Sequence, residues 1–317
     1  MTRRELAILR SVVYASLFDY PLTLDEVRRT LIECDGSTAD VLTTCGRSDR
    51  LRGVIEYRDG FFFPAGRGDL VAERRRRQAR SLAFLERHRS VLRLICALPF
   101  IRMVALSGSI AHLNLEPEGD LDLFIVTRGH HVWTVTLAIL ILTKLLRSRR
   151  AICTNFVVSD SQLAFEQQDL FTANQIIHLK PLTGESVMGE LIAANPFVCR
   201  LYPNAVADAS PWAQAEQARR AERALPLHTA AADGLASALL ERVCRSLYGW
   251  YLRRKAANWP SPEQVRLGAD CLKLHTRSHR ASITERFDVA VARALERAEP
   301  AADPAVAVAG GGRRARR

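Results

Sequence analysis

The 317-residue sequence predicts an α+β fold: a mixed α/β sheet covered by helices, with an N-terminal winged helix before it and a helical C-terminal region after it. Three patterns carry that expectation. The first seventy or so residues hold three helical stripes and a hairpin signal, the middle alternates helical with strand periodicity, and the chain beyond residue 205 returns to helical periodicity alone.

At the N-terminus, Leu6, Leu9, Val12, Val13 and Leu17 recur at helical spacing. PLTLDEVRRTLI restarts a helix, with Thr23 as N-cap and Glu26 three residues later to complete a capping box. A third helix starts from Ser37. GVIEYRDGFFFPAG then alternates apolar and polar residues around Asp59-Gly60, a pair suited to the positive φ angles of a two-residue hairpin turn. Three helices and a hairpin make the winged-helix pattern, assigned to residues 1–69. Its charge argues against DNA binding. The third helix, STADVLTTC, carries Asp40 and no basic residue, and Glu56, Arg58 and Asp59 on the hairpin nearly cancel, whereas phosphate neutralisation dominates nucleic-acid affinity. A packing or protein-contact role is expected instead.

Residues 70–205 form the second predicted unit. A long helix over 71–97 buries Leu82, Leu85, Val91, Leu92 and Ile95, and Pro99 stops it. IRMVAL reads as a strand entering a Gly-Ser turn, DLDLFIVT as a second strand, 131–147 as a crossover helix and ICTNFVV as a third strand. Residues 206–300 read as helical, chiefly through GLASALLERVCRSLYGWYLRR and EQVRLGADCLKLHTRSHRASITERFDVAVARAL, and residues 301–317 as a disordered basic tail.

Composition narrows the class. The formal charge of +11 is concentrated in Val71–Arg93, Lys144–Arg150 and the terminal GGGRRARR, because residues 1–70 balance ten arginines against eleven acidic groups. Such clusters favour anionic partners without identifying them. Seven widely spaced cysteines with no C-x-x-C pair exclude a disulfide framework and a zinc ribbon, and point to a reducing cytoplasm. No signal-peptide cleavage pattern follows MTRRELAILRSVVYASLFDY. Val132 to Leu146 is apolar but falls short of the roughly 20 residues of a membrane span, so a buried core helix is expected.

The stretch SGSIAHLNLEPEGDLDLFIV, Ser107 to Val126, carries the chemistry. Alternate residues of a strand share a face, so Asp120 and Asp122 point one way while Leu121 and Leu123 pack on the other. Two carboxylates that close call for a cation, and hard oxygen ligands suit Mg²⁺ or Mn²⁺. Gly108 and Ser109, at the turn before them, offer backbone N–H groups and a hydroxyl to phosphate oxygens.

This stretch resembles the signature of the DNA polymerase β superfamily of nucleotidyltransferases, a Gly-Ser motif at a helix start followed by an Asp-x-Asp strand. FDYPLTLDEV, the arginine-bearing helix, CTNFVVS, DLFTANQI and AANPFVCRLYPN are similar to a bacterial subgroup that carries an N-terminal winged helix, so the likeness spans roughly residues 5–205. The resemblance implies a nucleotidyltransferase-type sheet and in-line attack of an acceptor hydroxyl on the α-phosphate of a nucleoside triphosphate, with release of pyrophosphate. It assigns Asp120 and Asp122 to the metal and Gly108 and Ser109 to the phosphates, and leaves the acceptor open among a small molecule, a protein hydroxyl and an RNA end. It also implies a third carboxylate on the next strand. Asn155 is expected at that position, and a neutral amide can ligand a metal but cannot act as a carboxylate base. Asp160 lies about five residues further along, roughly 16 Å at strand rise. The alternative class is a catalytically degenerate nucleotide-binding or regulatory protein that uses the winged helix for a protein partner or DNA.

Other motifs are weaker. His275 and His279 have the helical spacing of a zinc pair but no H-E-x-x-H context, and neither a G-x-S-x-G elbow nor a P-loop is present.

Overall fold

The computed structural model describes residues 1–206, 234–259, 265–274 and 280–298, apart from the side chains of Asn155 and Ala257. The N-terminal module comprises α1 (Arg3–Ser16), β1 (Leu22–Thr23), α2 (Leu24–Arg29), α3 (Thr38–Arg47), α4 (Asp49–Arg52), β2 (Ile55–Arg58) and β3 (Phe61–Pro64). Capping boxes start α1, α2 and α3 through Thr2/Glu5, Thr23/Glu26 and Ser37/Asp40, satisfying N–H groups that the first turn leaves without partners. The hairpin turns at Asp59 and Gly60, both at positive φ, and β1 adds to it in the order β1-β3-β2. Strand β1 is too short to leave a periodic signal in the sequence.

Helix α5 (Asp69–Cys96) links the module to the larger sheet. Its arginines are not uniformly solvated. Arg74 is buried with its guanidinium 3.5 Å from the Tyr20 ring centre and 2.9 Å from Glu26, Arg77 pairs with Asp19 at 3.6 Å and donates to the Phe18 carbonyl, and Arg80 donates to the Leu115 carbonyl. These contacts tie α5 to the module and to the loop before the aspartates.

The sheet is built from β4 (Ile101–Ser107), β5 (Leu121–Thr127), β6 (Ile152–Ser159), β7 (Lys180–Thr183), β8 (Val265–Leu267) and β9 (Cys271–Leu274), in the order β7-β4-β5-β6-β9-β8. Only β5 and β6 run parallel among these pairs, joined by the crossover helix α7 (Val132–Leu145), and the other pairs are antiparallel. The remaining helices are α6 (Gly108–Ala111), α8 (Leu170–Ile177), α9 (Val187–Ala193), α10 (Phe197–Leu201), α11 (Leu235–Lys255) and α12 (Arg280–Ala298). The mixed α+β class is as the sequence predicts. Among the described residues of the C-terminal region the departure from expectation is that Val265–Leu267 and Cys271–Leu274 form a hairpin, while Arg280–Ala298 is helical. Leu272 and Leu274 alternate about Lys273, and the Gly268 N–H closes the turn on the Cys271 carbonyl, so period-two pairing with β6 prevails over the helical stripe.

Strand alternation divides the core. Met103, Ala105, Phe124, Val126 and Val158 face the N-terminal module together with α8, α9, α10 and α12, and their apolar cluster is continuous with that of α1 to α3. Val104, Leu106, Leu123, Ile125, Val157 and Leu272 face α7, α11 and the end of α5. No described helix is long and apolar enough to cross a membrane, and α7 buries Val132, Trp133, Val135 and Ile139 as a core helix. Its first turn is capped from a distance. The buried Glu241 of α11 accepts from Trp133 N–H and Thr134 N–H, each at 2.8 Å, and from Thr134 Oγ1 at 2.6 Å. A carboxylate there also complements the helix dipole. Replacing Glu241 with Ala should therefore lower the unfolding free energy by about 2–3 kcal/mol, measured by urea denaturation. A loss below about 0.5 kcal/mol, the ordinary surface-substitution range, would show that the cap contributes nothing.

Candidate metal and phosphate site

Strand β4 delivers the chain to Ser107, which pairs with Asp122 of β5 in the antiparallel register. The chain then turns sharply. Gly108 adopts φ +62°, and a Cβ placed on it would lie 2.5 Å from Asp122 Oδ2. Glycine is required twice over here, for the left-handed backbone and for the close approach of the carboxylate. Asp122 belongs to the face of β5 that carries Phe124 and Val126, as alternation requires.

On the other side of β5, the parallel register sets Cys153 opposite Asp122. The carboxylates of Asp120 and Asp122 and the Cys153 thiol bring one ligand atom each within 4.8 Å of one another. Burial raises the Asp120 pKa above the usual carboxylate value. Burial, reinforced by the negative charges of Asp122 and Asp120, pushes the Cys153 thiol up to about 12. A nearby cation would oppose both shifts. Two hard oxygens and one sulfur suit a divalent ion; the oxygens match Mg²⁺ or Mn²⁺, and the sulfur favours softer ions over Mg²⁺.

The side chain of Asn155 lies outside the described residues. Its backbone marks a register shift: Leu123 pairs with Thr154 and Phe124 with Phe156, so Asn155 is the extra residue between them. Asp160 sits at the far end of β6, where it accepts from Gly129 N–H at 2.9 Å and pairs with Arg102 at 3.3 Å. It does not join the aspartates. His275 and His279 also lie outside the described residues, as does the 301–317 tail.

Ser107, Gly108, Asp120, Asp122 and Cys153 line a groove of about 770 Å³. Its basic side chains come from distant segments: Arg150 before β6, Lys273 of β9 and Arg280 of α12. Lys273 donates to Gln167 at 3.0 Å, and its burial lowers its pKa. Arg280 is ion-paired with Asp169. Ser109 is placed differently from Gly108: it lines an adjoining chamber, and its carbonyl accepts from His112 and Asn114 N–H. Cys153 is the second residue of the strand ICTNFVV, but only the β5–β6 register makes it a neighbour of Asp122.

Gly108→Ala should destabilise the fold by about 1–2 kcal/mol through its left-handed backbone alone. It should also displace the Asp122 carboxylate and weaken Mn²⁺ binding, read by electron paramagnetic resonance; unchanged Mn²⁺ affinity would separate Gly108 from the site. No protein-family model matches the chain, and no curated protein or solved structure matches it either.

Proposed function

We propose that the chain transfers a nucleotidyl group from a nucleoside triphosphate to an acceptor, with pyrophosphate as the leaving group and Mg²⁺ or Mn²⁺ as the cofactor. The observation that carries this reading is the apposition of the Gly108 turn to Asp122, with Asp120 and Cys153 beside it at one wall of a groove lined by Arg150 and Lys273. The likeness of the Gly-Ser and Asp-x-Asp stretch to the polymerase β superfamily supports it.

In this reading Asp120 and Asp122 hold the metal. When bound, the ion would neutralise phosphate charge and stabilise the attacking and leaving oxygens. The Gly108 turn, free of a side chain, lets the triphosphate tail approach the backbone closely. Arg150 and Lys273 bring positive charge to the same groove, where it attracts the phosphates. Cys153 stands beside the carboxylates as a thiol that is protonated near neutral pH, so it supplies no ready base for the acceptor hydroxyl.

That last feature favours a second reading, a protein that binds metal and nucleotide without turnover. The two are separated by incubating the protein with each α-labelled nucleoside triphosphate, Mg²⁺ or Mn²⁺, and candidate acceptors. Transfer that falls at least about a hundredfold in Asp122→Ala supports the transferase reading, since losing a metal ligand removes transition-state charge stabilisation. Saturable nucleotide binding with no transfer supports the second, and transfer indifferent to Asp122 contradicts both assignments of the metal.

Protonation sets a pH dependence. Because the Asp120 pKa is raised in the folded protein, its carboxylate begins to gain a proton, on acidification, above the ordinary carboxylate range. Mn²⁺ affinity measured by titration calorimetry should accordingly fall with decreasing pH sooner than for an exposed aspartate pair. Cys153→Asp should tighten Mg²⁺ binding by about tenfold relative to the native thiol, as oxygen replaces sulfur among the ligands. Equal Mg²⁺ affinity in the two proteins would remove Cys153 from the metal's surroundings.

A further inference from the structure

Helix α11 presents two unlike faces. Glu241, Cys244, Tyr248 and Leu252 turn inward, where Glu241 caps α7 and Tyr248 meets the Trp133 ring edge-on at 6.3 Å. On the outward side Leu239, Leu240, Val243, Leu247, Trp250 and Tyr251 are each between 44% and 63% exposed. On a helical wheel these six fall within about 120° of arc, which makes a continuous strip. Isolated exposed apolar side chains are ordinary, but a contiguous apolar surface marks a site of interaction. Helix α7, packed beside α11, leaves Ile141 51% and Leu145 75% exposed.

The charges around the strip have one sign. Arg242, Arg245 and Arg253 are exposed and occupy the arc of α11 between the apolar strip and the inward face. Lys144 is exposed on the last turn of α7, and Arg147 just beyond it. Residues 128–150 contain no acidic side chain, and the one acid of α11, Glu241, is buried in its cap. Trp250 lies toward the cationic edge of the strip with the Arg254 guanidinium 4.6 Å from its ring centre, and Tyr251 lies at the opposite edge with the Lys255 ammonium at 4.8 Å. Such rings bury an apolar body and keep a polar tip in water. Two copies of this face match poorly, because pairing them sets arginines against helices that hold no exposed acid.

We propose that α7 and α11 form a docking surface for a bilayer that contains anionic phospholipids. The apolar strip enters the boundary between headgroups and acyl chains, Trp250 and Tyr251 sit at headgroup level, and the arginines and Lys144 meet the lipid phosphates. The helix lies on the membrane and does not cross it. Helices α7 and α11 pack on the sheet face of Val104, Leu123 and Ile125, whereas Phe124, on the opposite face, lines the groove of the aspartates. Docking on one face therefore leaves the groove on the other uncovered. It requires neither metal nor nucleotide.

The test uses the full chain in EDTA, so that failure of the metal site leaves the result unaffected. The protein is sedimented with sucrose-loaded vesicles of phosphatidylcholine alone, and of phosphatidylcholine and phosphatidylglycerol at three to one. Binding to the anionic vesicles should be saturable, at least about tenfold tighter than to the neutral ones, and weakened by salt. Leu247→Asp combined with Trp250→Asp, both at exposed positions, should weaken it at least about tenfold by setting carboxylates in the apolar strip, and Arg242→Glu with Arg253→Glu should do the same. Brominated acyl chains in the anionic vesicles should quench the tryptophan fluorescence of the native chain, and Trp250→Phe should remove most of that quenching while retaining binding. No sedimentation with anionic vesicles at millimolar lipid would overturn the proposal, as would equal binding to neutral vesicles. Binding that the paired aspartate variant leaves unchanged would assign it to another basic segment, and a dimer in solution that this variant converts to monomer would make the strip an interface between copies. Soluble polyglutamate that displaces the protein from vesicles at equal charge would mark a site for an acidic protein; each of these three results also overturns the proposal. Lipid selectivity and quenching are read on the native chain and on Trp250→Phe, so the proposal remains falsifiable if a charged variant fails to fold.

Discussion

The close approach of the Gly108 backbone to the Asp122 carboxylate is the constraint around which the site is arranged. It needs a residue without a side chain at positive φ, a β4–β5 register that sets Ser107 against Asp122, and an entry into β5 that brings the Asp120 carboxylate near that of Asp122. Each requirement limits the others. A one-residue slip between β4 and β5 would turn Asp122 into the core face occupied by Leu121 and Leu123, where a carboxylate has no place. The apolar alternation of β5 therefore does two jobs: it builds both halves of the core and aims the carboxylates into the groove.

The N-terminal module bears on the site through packing. Its core is continuous with one face of the sheet, and Arg74 of α5 joins it to the larger unit through Tyr20 and Glu26. A buried pair of this kind is costly to break from one side, because the partner charge is left without compensation. Asp40 on α3 is committed to the Ser37 cap and to Arg4, so the helix that would read a DNA groove instead presents capped, charge-balanced residues. Of the arginines that look like an anion-binding run in sequence, Arg74, Arg77 and Arg80 act as struts, and Arg75, Arg76, Arg87, Arg89 and Arg93 remain exposed.

Much of the fold was legible because local chemistry and tertiary packing agree. The capping box at Thr23, the Asp59-Gly60 turn and the alternation of β4 and β5 each appear in the sequence at nearly their final boundaries, as does the extent of α5, although Leu82, expected on its buried side, is exposed and Ser81 is buried in its place. The β8–β9 hairpin was not legible, since short strands whose partners lie a hundred residues away carry little period-two signal and overlapped a helical stripe. The site was half legible. Gly108, Asp120 and Asp122 lie within fifteen residues of one another, whereas Cys153, Lys273 and Arg280 reach the groove through strand pairing and helix packing. Asn155 was read as the third member from its strand, but the register shift places it as an additional residue between paired positions, and Cys153 is the one directly opposite Asp122.

The central claim is that Asp120 and Asp122 form one divalent-cation site beside the Gly108 turn. It is tested most directly by diffraction from crystals soaked in MnCl₂, with data collected for the manganese anomalous signal. The account predicts an anomalous peak within coordination distance of both carboxylates and on the Cys153 side of β5. A peak elsewhere, or none at a concentration that saturates the protein in solution, would contradict it.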